Sequence, residues 1–325
     1  MLKRRQLLKW PMAAIALPGA TAAFAQTFPA RPVKMVIPFS AGGGTDVLGR
    51  MIAKRWSERS GQPFVVENPT GAGGNIGAAQ VARAAPDGHT LLMSFVGTQA
   101  INPSLYKKLA WSPSDLEPVA QVGSYPYLVL ASASLPVNSI KELIEYAKAN
   151  PGKVNYGSPG IGSGAHLLGS LLSARTGAPM THVPYRGSAP MVQDLLAGTV
   201  QIAFDTWLTG QQFVKAGRLK VLGTTSDQRF DFLPEVPTLS QQGLKGMEAR
   251  GWFGLFTTAG VPEPTLRIIK KTATEIIHSK EFQQEAAAVG AMPPVPEAVQ
   301  DFKGYVDSEI KRWAEVVRVS GATAD

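Results

Sequence analysis

The chain has 325 residues, a formal net charge of +8 at pH 7 and no cysteine. The lack of cysteine excludes disulfides, thiolate nucleophiles and zinc–thiolate sites. Lys3, Arg4, Arg5 and Lys9 supply four of the positive charges, so the rest of the chain carries only about +4 and does not by itself indicate a nucleic-acid partner. A length of about two typical domains predicts two lobes or one large α/β unit.

Residues 1–26 have the pattern of a signal peptide. A basic start is followed by an apolar segment over 11–24 and by Ala23-Phe24-Ala25, a small-x-small cleavage site. Arg4-Arg5 resembles the twin-arginine export signal, although adjacent arginines also occur in ordinary export signals. No later run reaches about 20 apolar residues, so we expect an exported protein with no direct membrane insertion.

A glycine-rich loop follows the first predicted strand. The apolar residues 33–37 indicate a buried strand, and three glycines at 42–44 come directly before a predicted helix that begins at Thr45. Glycines leave backbone N–H groups uncovered and a helix start adds positive charge, so the loop predicts a site for a small anion. The alternative is a tight turn in which Thr45 or Asp46 only caps the helix.

The same order of strand, turn and helix continues along the chain. Further strands are predicted at 64–67, 90–95, 127–130, 154–158, 181–185, 200–205, 219–224 and 252–256, and a last helix at 297–319. Strands that alternate with helices predict parallel sheets, and ligands of such sheets bind beyond the carboxyl ends of the strands. We therefore expect the loops after the first three strands to share one rim.

Six motifs occur in order: PFSAGGGTD at 38–46, ENPTGAGGNIG at 67–77, PDGHTLL at 86–92, INPSLY at 101–106, HVPYRG at 182–187 and KAGRL at 215–219. As a set they resemble the Bug family, whose members are periplasmic solute receptors of tripartite tricarboxylate transporters. The resemblance extends from Arg31 to the C-terminus.

The resemblance implies the type II periplasmic binding-protein fold, in which two α/β lobes are joined by two crossing strands and hold a ligand between them. Lobe I would contain 27–124 and 249–325, and lobe II would contain 125–248. In the family, two facing loops hold a carboxylated ligand. The corresponding loops of this chain are residues 39–45 and 158–163. The candidate ligand-binding residues on this basis are Phe39, Ser40, Gly42, Gly43, Thr45, Thr98, Ser158, Gly162, Ser163 and Asp205.

The two loops contain neither Lys nor Arg. A carboxylate there would be held by backbone N–H groups, by Ser and Thr hydroxyls and by helix N-termini. Donors on two lobes would also let the ligand leave when the lobes open. Two roles are open for Asp205. It is either a hinge residue that accepts backbone hydrogen bonds or a group that reaches the ligand through water.

Other kinds of site find little support in the sequence. The glycines at 71–77 depart from the dinucleotide pattern G-x-G-x-x-G, the histidines lack a metal-binding spacing, and Ser158 and Ser163 lack the G-x-S-x-G pattern. We expect no catalytic residue, metal or cofactor.

The expected partners are a small carboxylate, which could be a dicarboxylate, a tricarboxylate or an aromatic carboxylate, and transiently the membrane subunits of a transporter. We expect a monomer that binds no nucleic acid. An exported enzyme that acts on a carboxylate and a ligand-loaded sensor for a membrane signalling partner are the alternatives.

The residues after Asp205 depart from the family pattern. The family often has Asn and then a small or aliphatic residue, whereas this chain has Thr206-Trp207-Leu208. A tryptophan beside the cleft would add a flat apolar surface, which suggests the hypothesis of an aromatic carboxylate as ligand. The alternative is that Trp207 packs under the hinge.

Overall fold

The computed structural model describes residues 28–230, 233–320 and 322–324, so the predicted signal peptide at 1–26 lies outside the described residues. No helix within these ranges is long and apolar enough to cross a membrane. Their strands are β1 (Val33–Val36), β2 (Phe64–Glu67), β3 (Thr90–Phe95), β4 (Leu116–Pro126), β5 (Leu128–Ser132), β6 (Asn155–Ser158), β7 (Thr181–Pro184), β8 (Ile202–Asp205), β9 (Leu219–Thr224) and β10 (Arg250–Thr258).

The strands form two separate sheets. The first has the order β2-β1-β3-β10-β4 and the second has the order β7-β6-β8-β5-β9. β1 is parallel to β2 and β3, and β6 is parallel to β7 and β8. Leu91, Leu92 and Met93 are successive buried residues of β3, as expected for a strand that is covered on both faces.

The alternation of strands and helices predicts parallel pairing throughout. This prediction is wrong for two strands. β10 is antiparallel to β3 and β4, and β5 is antiparallel to β8 and β9. Both strands enter their sheet directly from the other sheet rather than through a helix packed on its own sheet, so the handed crossover that makes neighbouring strands parallel does not apply to them.

Helices cover both sheets. They are α1 (Gly44–Ser60), α2 (Asn75–Ala82), α3 (Asn102–Leu105), α4 (Ile140–Ala149), α5 (Gly164–Thr176), α6 (Ser188–Ala197), α7 (Trp207–Lys215), α8 (Glu263–Ile277), α9 (Lys280–Ala288), α10 (Pro296–Gln300) and α11 (Phe302–Ser320). The single C-terminal helix predicted at 297–319 is therefore two helices, because Asp301 has an extended backbone.

The chain crosses between the sheets twice, at neighbouring positions. The first crossing is at Tyr127, between β4 and β5, and the second runs from β9 to β10 through Thr225 and Ala249. The amide of Thr225 donates to the carbonyl of Tyr127 at 2.9 Å, and the amide of Ala249 donates to the carbonyl of Thr225 at 3.0 Å. We call the part built on the first sheet the first lobe and the part built on the second sheet the second lobe.

Two α/β lobes joined by two crossings are the architecture that the resemblance implies. The crossings lie close to the predicted lobe boundaries at 124/125 and 248/249, although β4 continues in the first sheet to Pro126. The boundaries themselves stay a prediction. In the first lobe, Glu309 of α11 accepts hydrogen bonds from the indoles of Trp252 at 3.0 Å and Trp313 at 3.1 Å, which ties the last helix to β10.

Candidate functional site

A cavity lies between the lobes, beyond the carboxyl ends of β1 and β8. The empty space within it, part of which is open to solvent, measures about 440 Å³. Its lining residues come from both lobes and are Phe39, Gly43, Gly44, Thr45, Phe95, Tyr125, Tyr127, Pro159, Ser163, Ala165, Gly187, Ser188, Asp205, Thr206 and Phe253.

Four helices begin at the cavity wall. Gly43 precedes α1, Ser163 precedes α5, Gly187 precedes α6 and Thr206 precedes α7, and all four residues line the cavity. The first N–H groups of a helix have no partner within the helix, and its N-terminus carries partial positive charge. Among the described residues no Lys, Arg or His lines the cavity. The positive potential of the wall therefore comes from backbone.

The loop before α1 is held by the carboxylate of Asp46. Its Oδ2 accepts hydrogen bonds from the amide of Gly42 at 2.9 Å and from the guanidinium of Arg50 at 2.8 Å, and its Oδ1 accepts from Asn68 at 3.0 Å. Burial alone would raise the pKa of Asp46, but these hydrogen bonds hold the pKa below its usual value. Asp46 thus shapes the loop, and the amide of Gly42 is already occupied.

The loop before α5 is held by two serines. Ser163 Oγ donates to the carbonyl of Gly160 at 2.7 Å and accepts from the amide of His166 at 3.2 Å, which caps the helix. Ser158 Oγ donates to the same carbonyl at 3.1 Å and lies 2.7 Å from His182 Nε2. The amide of Gly162 donates to His166 Nδ1 at 3.4 Å.

His166 and His182 stack behind this loop. Their ring centroids are 4.1 Å apart with an angle of 19° between the planes, and the ring of Tyr156 stacks on His182 at 4.9 Å. Burial lowers the pKa of His166 to about 4, and burial together with repulsion from His166 lowers the pKa of His182 to about 3. The pair is therefore neutral at pH 7.

Asp205 is the only carboxylate on the cavity wall among the described residues, and its side chain is almost fully buried. Ser188 Oγ donates to its Oδ1 at 2.9 Å and Thr209 Oγ1 donates to its Oδ2 at 2.7 Å. Burial raises its pKa to about 6, against the effect of these hydrogen bonds. The sequence suggests that Asp205 accepts backbone hydrogen bonds. In the structure it accepts hydrogen bonds mainly from hydroxyl groups.

Aromatic rings form the rest of the wall. Phe39 and Phe95 meet edge to face with centroids 4.8 Å apart, and Tyr125 lies 4.6 Å from Phe253 and 5.2 Å from Tyr127. Of these five the sequence indicates only Phe39. The other four come from strand ends and the first crossing, and only the topology brings them together.

Five of the ten predicted ligand-binding residues line the cavity, namely Phe39, Gly43, Thr45, Ser163 and Asp205. The other five lie beside it and have structural contacts. Ser158, Gly42 and Gly162 make the loop hydrogen bonds described above, and Thr98 Oγ1 donates to the carbonyl of Gly73 at 2.8 Å. The backbone of Ser40 contacts the second lobe, and its Oγ has no hydrogen-bond partner in the described chain. Ligand contact stays a prediction for all ten.

Trp207 does not support the hypothesis of an aromatic ligand. Its side chain is buried against Gly290 of the first lobe, and it is absent from the residues of the described chain that line the cavity. At the start of α7 the chain turns, so Thr206 faces the cavity while the next side chain packs near the crossing. The alternative interpretation, packing under the hinge, agrees with this position.

The sequence did not indicate the starts of α6 and α7 as parts of the site. The motif at 182–187 ends at Gly187 directly before α6, and glycines before a helix are also the signal at α1 and α5. Thr206 carried the corresponding signal for α7, since Thr is a favoured N-cap residue.

The lobes also touch each other directly. The amide of Ser40 in the first lobe donates to the carbonyl of Arg186 in the second at 3.1 Å, and the hydroxyl of Tyr106 donates to the carbonyl of Ile161 at 3.4 Å. Gly73 lies so close to that carbonyl that a Cβ would clash with it. A molecule in the cavity would therefore be in contact with both lobes.

No cluster of three or more His, Asp or Glu side chains suited to a metal ion occurs within the described ranges. The ionisable groups at the cavity are Asp205, Tyr125 and Tyr127. Burial raises the pKa of both tyrosines.

Comparison with known proteins agrees with this geometry. The family model for the tripartite tricarboxylate transporter family receptor matches residues 48–321. The protein BugT of Bordetella pertussis is 37% identical over 300 residues, which are 92% of this chain and 92% of BugT.

Solved structures are also similar. R. palustris Rpa4515 with adipate is 35% identical with a TM-score of 0.87, covering 91% of this chain and 99% of that one. MatC from Rhodopseudomonas palustris with bound malate is 33% identical with a TM-score of 0.84, covering 89% of this chain and 100% of that one. The chain therefore belongs to the family of tripartite tricarboxylate transporter receptors, as the resemblance to the Bug proteins indicates.

Proposed function

We propose that the protein is a periplasmic solute receptor that binds a small carboxylate in the cavity between its lobes and delivers it to a tripartite tricarboxylate transporter. The observation that carries this proposal is the convergence of four helix N-termini on a cavity without a cationic side chain among the described residues. Such N-termini bind anions through backbone N–H groups.

The donors lie on both lobes. At the cavity wall, the first N–H groups of the helices belong to Gly44 and Thr45 in the first lobe and to Ala165 and Ser188 in the second. A hydrogen bond to a charged acceptor contributes about 1.5 to 3 kcal/mol, so several together give useful affinity. Because the donors are shared between lobes, opening removes a large part of them at once, which suits a receptor that must release its ligand.

The aromatic walls suit the carbon skeleton of such a ligand. Phe39, Phe95 and Phe253 offer apolar surface directly beside the helix N-termini. Adipate and malate in the related structures are dicarboxylates with short carbon chains, which supports a ligand of that size for this protein.

The cavity favours a receptor over the alternative of an exported enzyme. Its carboxylate, Asp205, is bonded to two hydroxyls, and the raised pKa of Tyr125 and Tyr127 makes them poor bases at pH 7. Catalysis would need a nucleophile and a base that converge on one point. We also propose that the protein acts as a monomer and meets the membrane subunits only transiently.

Isothermal titration of the purified protein with adipate, malate, succinate, citrate and terephthalate would test this function. The diamine with six carbons matches adipate in length but has the opposite charge, so it serves as the control. Native mass spectrometry of the same sample would detect a ligand retained from expression.

Binding of one or more carboxylates without binding of the diamine is the expected result. Binding of none, by a protein that native mass spectrometry shows to be empty, would contradict the proposal. Conversion of a bound carboxylate to a new product, followed by NMR, would instead favour the enzyme.

A further inference from the structure

Thr206 has a buried hydroxyl without a partner. It precedes α7, lines the cavity and is 6% exposed, and its Oγ1 makes no hydrogen bond to any described residue. A buried hydroxyl without a partner destabilises the folded protein, since the group has lost its bonds to water. At a cavity wall such a hydroxyl can be paired by a molecule that enters the cavity.

Three other hydroxyls at or next to the cavity wall are occupied. Ser163 Oγ donates to the carbonyl of Gly160, Ser188 Oγ donates to Asp205 Oδ1, and Thr209 Oγ1, one turn further along α7, donates to Asp205 Oδ2. The hydroxyl of Thr206 differs from these three and remains available to a molecule in the cavity.

The hydroxyl lies close to the start of α1, which belongs to the other lobe. A Cβ placed on Gly44, the first residue of α1, would lie 3.6 Å from Thr206 Oγ1. The first N–H groups of α1, which have no partner within the helix, therefore begin near this hydroxyl. An acceptor atom placed there would bond to both lobes.

We propose that Thr206 binds the ligand by donating a hydrogen bond from Oγ1 to a carboxylate oxygen, so that a side chain at the start of α7 takes part in the anion site. This inference rests on the proposed function.

The substitution Thr206→Val tests the contact because it replaces the hydroxyl with a methyl group of similar size. We expect binding of adipate or malate, whichever the wild type binds more tightly, to weaken on the order of tenfold to a hundredfold, the range that a hydrogen bond to a charged acceptor provides. Without ligand the melting temperature should stay the same or rise, because the variant no longer buries an unpaired hydroxyl.

Two matched variants separate binding from folding. Thr206→Ser keeps a hydroxyl and should keep most of the affinity. Thr209→Val removes a hydroxyl that does have partners, so it should lower the melting temperature of the unliganded protein. Circular dichroism would verify that each variant is folded.

Affinity of Thr206→Val within about twofold of the wild type would overturn the inference and leave the proposed function intact. A fall in its unliganded melting temperature like that of Thr209→Val would also overturn it, since the hydroxyl would then be structural. Failure of the wild type to bind any carboxylate would overturn both proposals.

Discussion

Gly162 in the loop before α5 lies directly against the side chain of Asn102 in α3, which belongs to the other lobe. A Cβ on Gly162 would overlap Asn102 Oδ1 and approach Leu105 Cδ2 to 3.3 Å. Asn102 cannot move aside easily, because its Nδ2 donates to the carbonyl of Gly73 at 3.0 Å and to Asn75 Oδ1 at 2.9 Å. The two lobes can therefore approach this closely only because residue 162 is a glycine and has no side chain.

The substitution Gly162→Ala should weaken ligand binding at least about tenfold, because the lobes could no longer close fully around the ligand. Isothermal titration with the carboxylate that the wild type binds best would measure the loss. Gly177→Ala is the matched control. Both glycines have positive φ, +83° and +65°, but a Cβ on Gly177 would meet open space. Equal loss of affinity in the two variants would indicate backbone strain rather than obstructed closure.

Trp207 should matter for stability rather than for ligand choice. Gly290, with φ +85°, lies so close that a Cβ there would be 2.8 Å from Trp207 Cβ. Trp207→Ala should lower the free energy of unfolding by about 3 to 5 kcal/mol, as for other large buried side chains, and denaturant unfolding would measure this. The ratio of affinities for terephthalate and adipate should stay unchanged. A selective loss of terephthalate binding would restore the hypothesis that Trp207 contacts an aromatic ligand.

The glycine loops could be found from sequence because their signal is local. Three glycines before Thr45, and the serines and glycines between 158 and 163, indicate a helix start wherever it lies in the fold. What the sequence could not show is which donors are already occupied. The amide of Gly42 bonds to Asp46, and the hydroxyl of Thr98 bonds to Gly73, a residue in another loop.

The other half of the site depends on topology. Tyr125 and Tyr127 reach the cavity because β4 and β5 lie in different sheets, and Phe253 does so because β10 returns from the second lobe. Trp207 was assigned to the cleft from its neighbour Asp205, but consecutive residues at a helix start face different directions. Its actual contact, Gly290, is far away in the sequence.

The stacked histidines should make the protein less stable in acid. His166 and His182 have lowered pKa values of about 4 and 3 in the folded state, against an unfolded value near 6.5. Above pH 6.5 both are neutral in both states. As the pH falls below 6.5 the unfolded state binds protons first, so stability is lost down to the folded pKa values.

At pH 5 the cost is about 2 kcal/mol for each histidine. The substitution His182→Gln should remove about half of the loss between pH 7 and pH 5, measured by urea unfolding at both values. Its amide can still bond to Ser158, so stability at pH 7 should change little by comparison. An equal loss in variant and wild type would show that other groups cause the acid sensitivity.

Asp205 should make carboxylate binding stronger as the pH falls, whereas the stacked histidines make the fold less stable. Burial raises its pKa in the folded protein to about 6, so at pH 7 it carries a charge close to any anion in the cavity. A bound carboxylate would repel that charge and raise the pKa further, so binding near pH 7 should take up a fraction of a proton. Affinity should therefore rise as the pH falls from 8 towards 6.

Isothermal titration in two buffers with different ionisation enthalpies would count the protons taken up. The substitution Asp205→Asn should abolish the uptake and flatten the pH dependence, because the amide is neutral at every pH. Its carbonyl and amino groups can still pair with the hydroxyls of Ser188 and Thr209, which can reverse their roles as donor and acceptor. His182→Gln, which leaves the cavity wall intact, should keep the uptake. Uptake that persists in Asp205→Asn would assign the proton to another group.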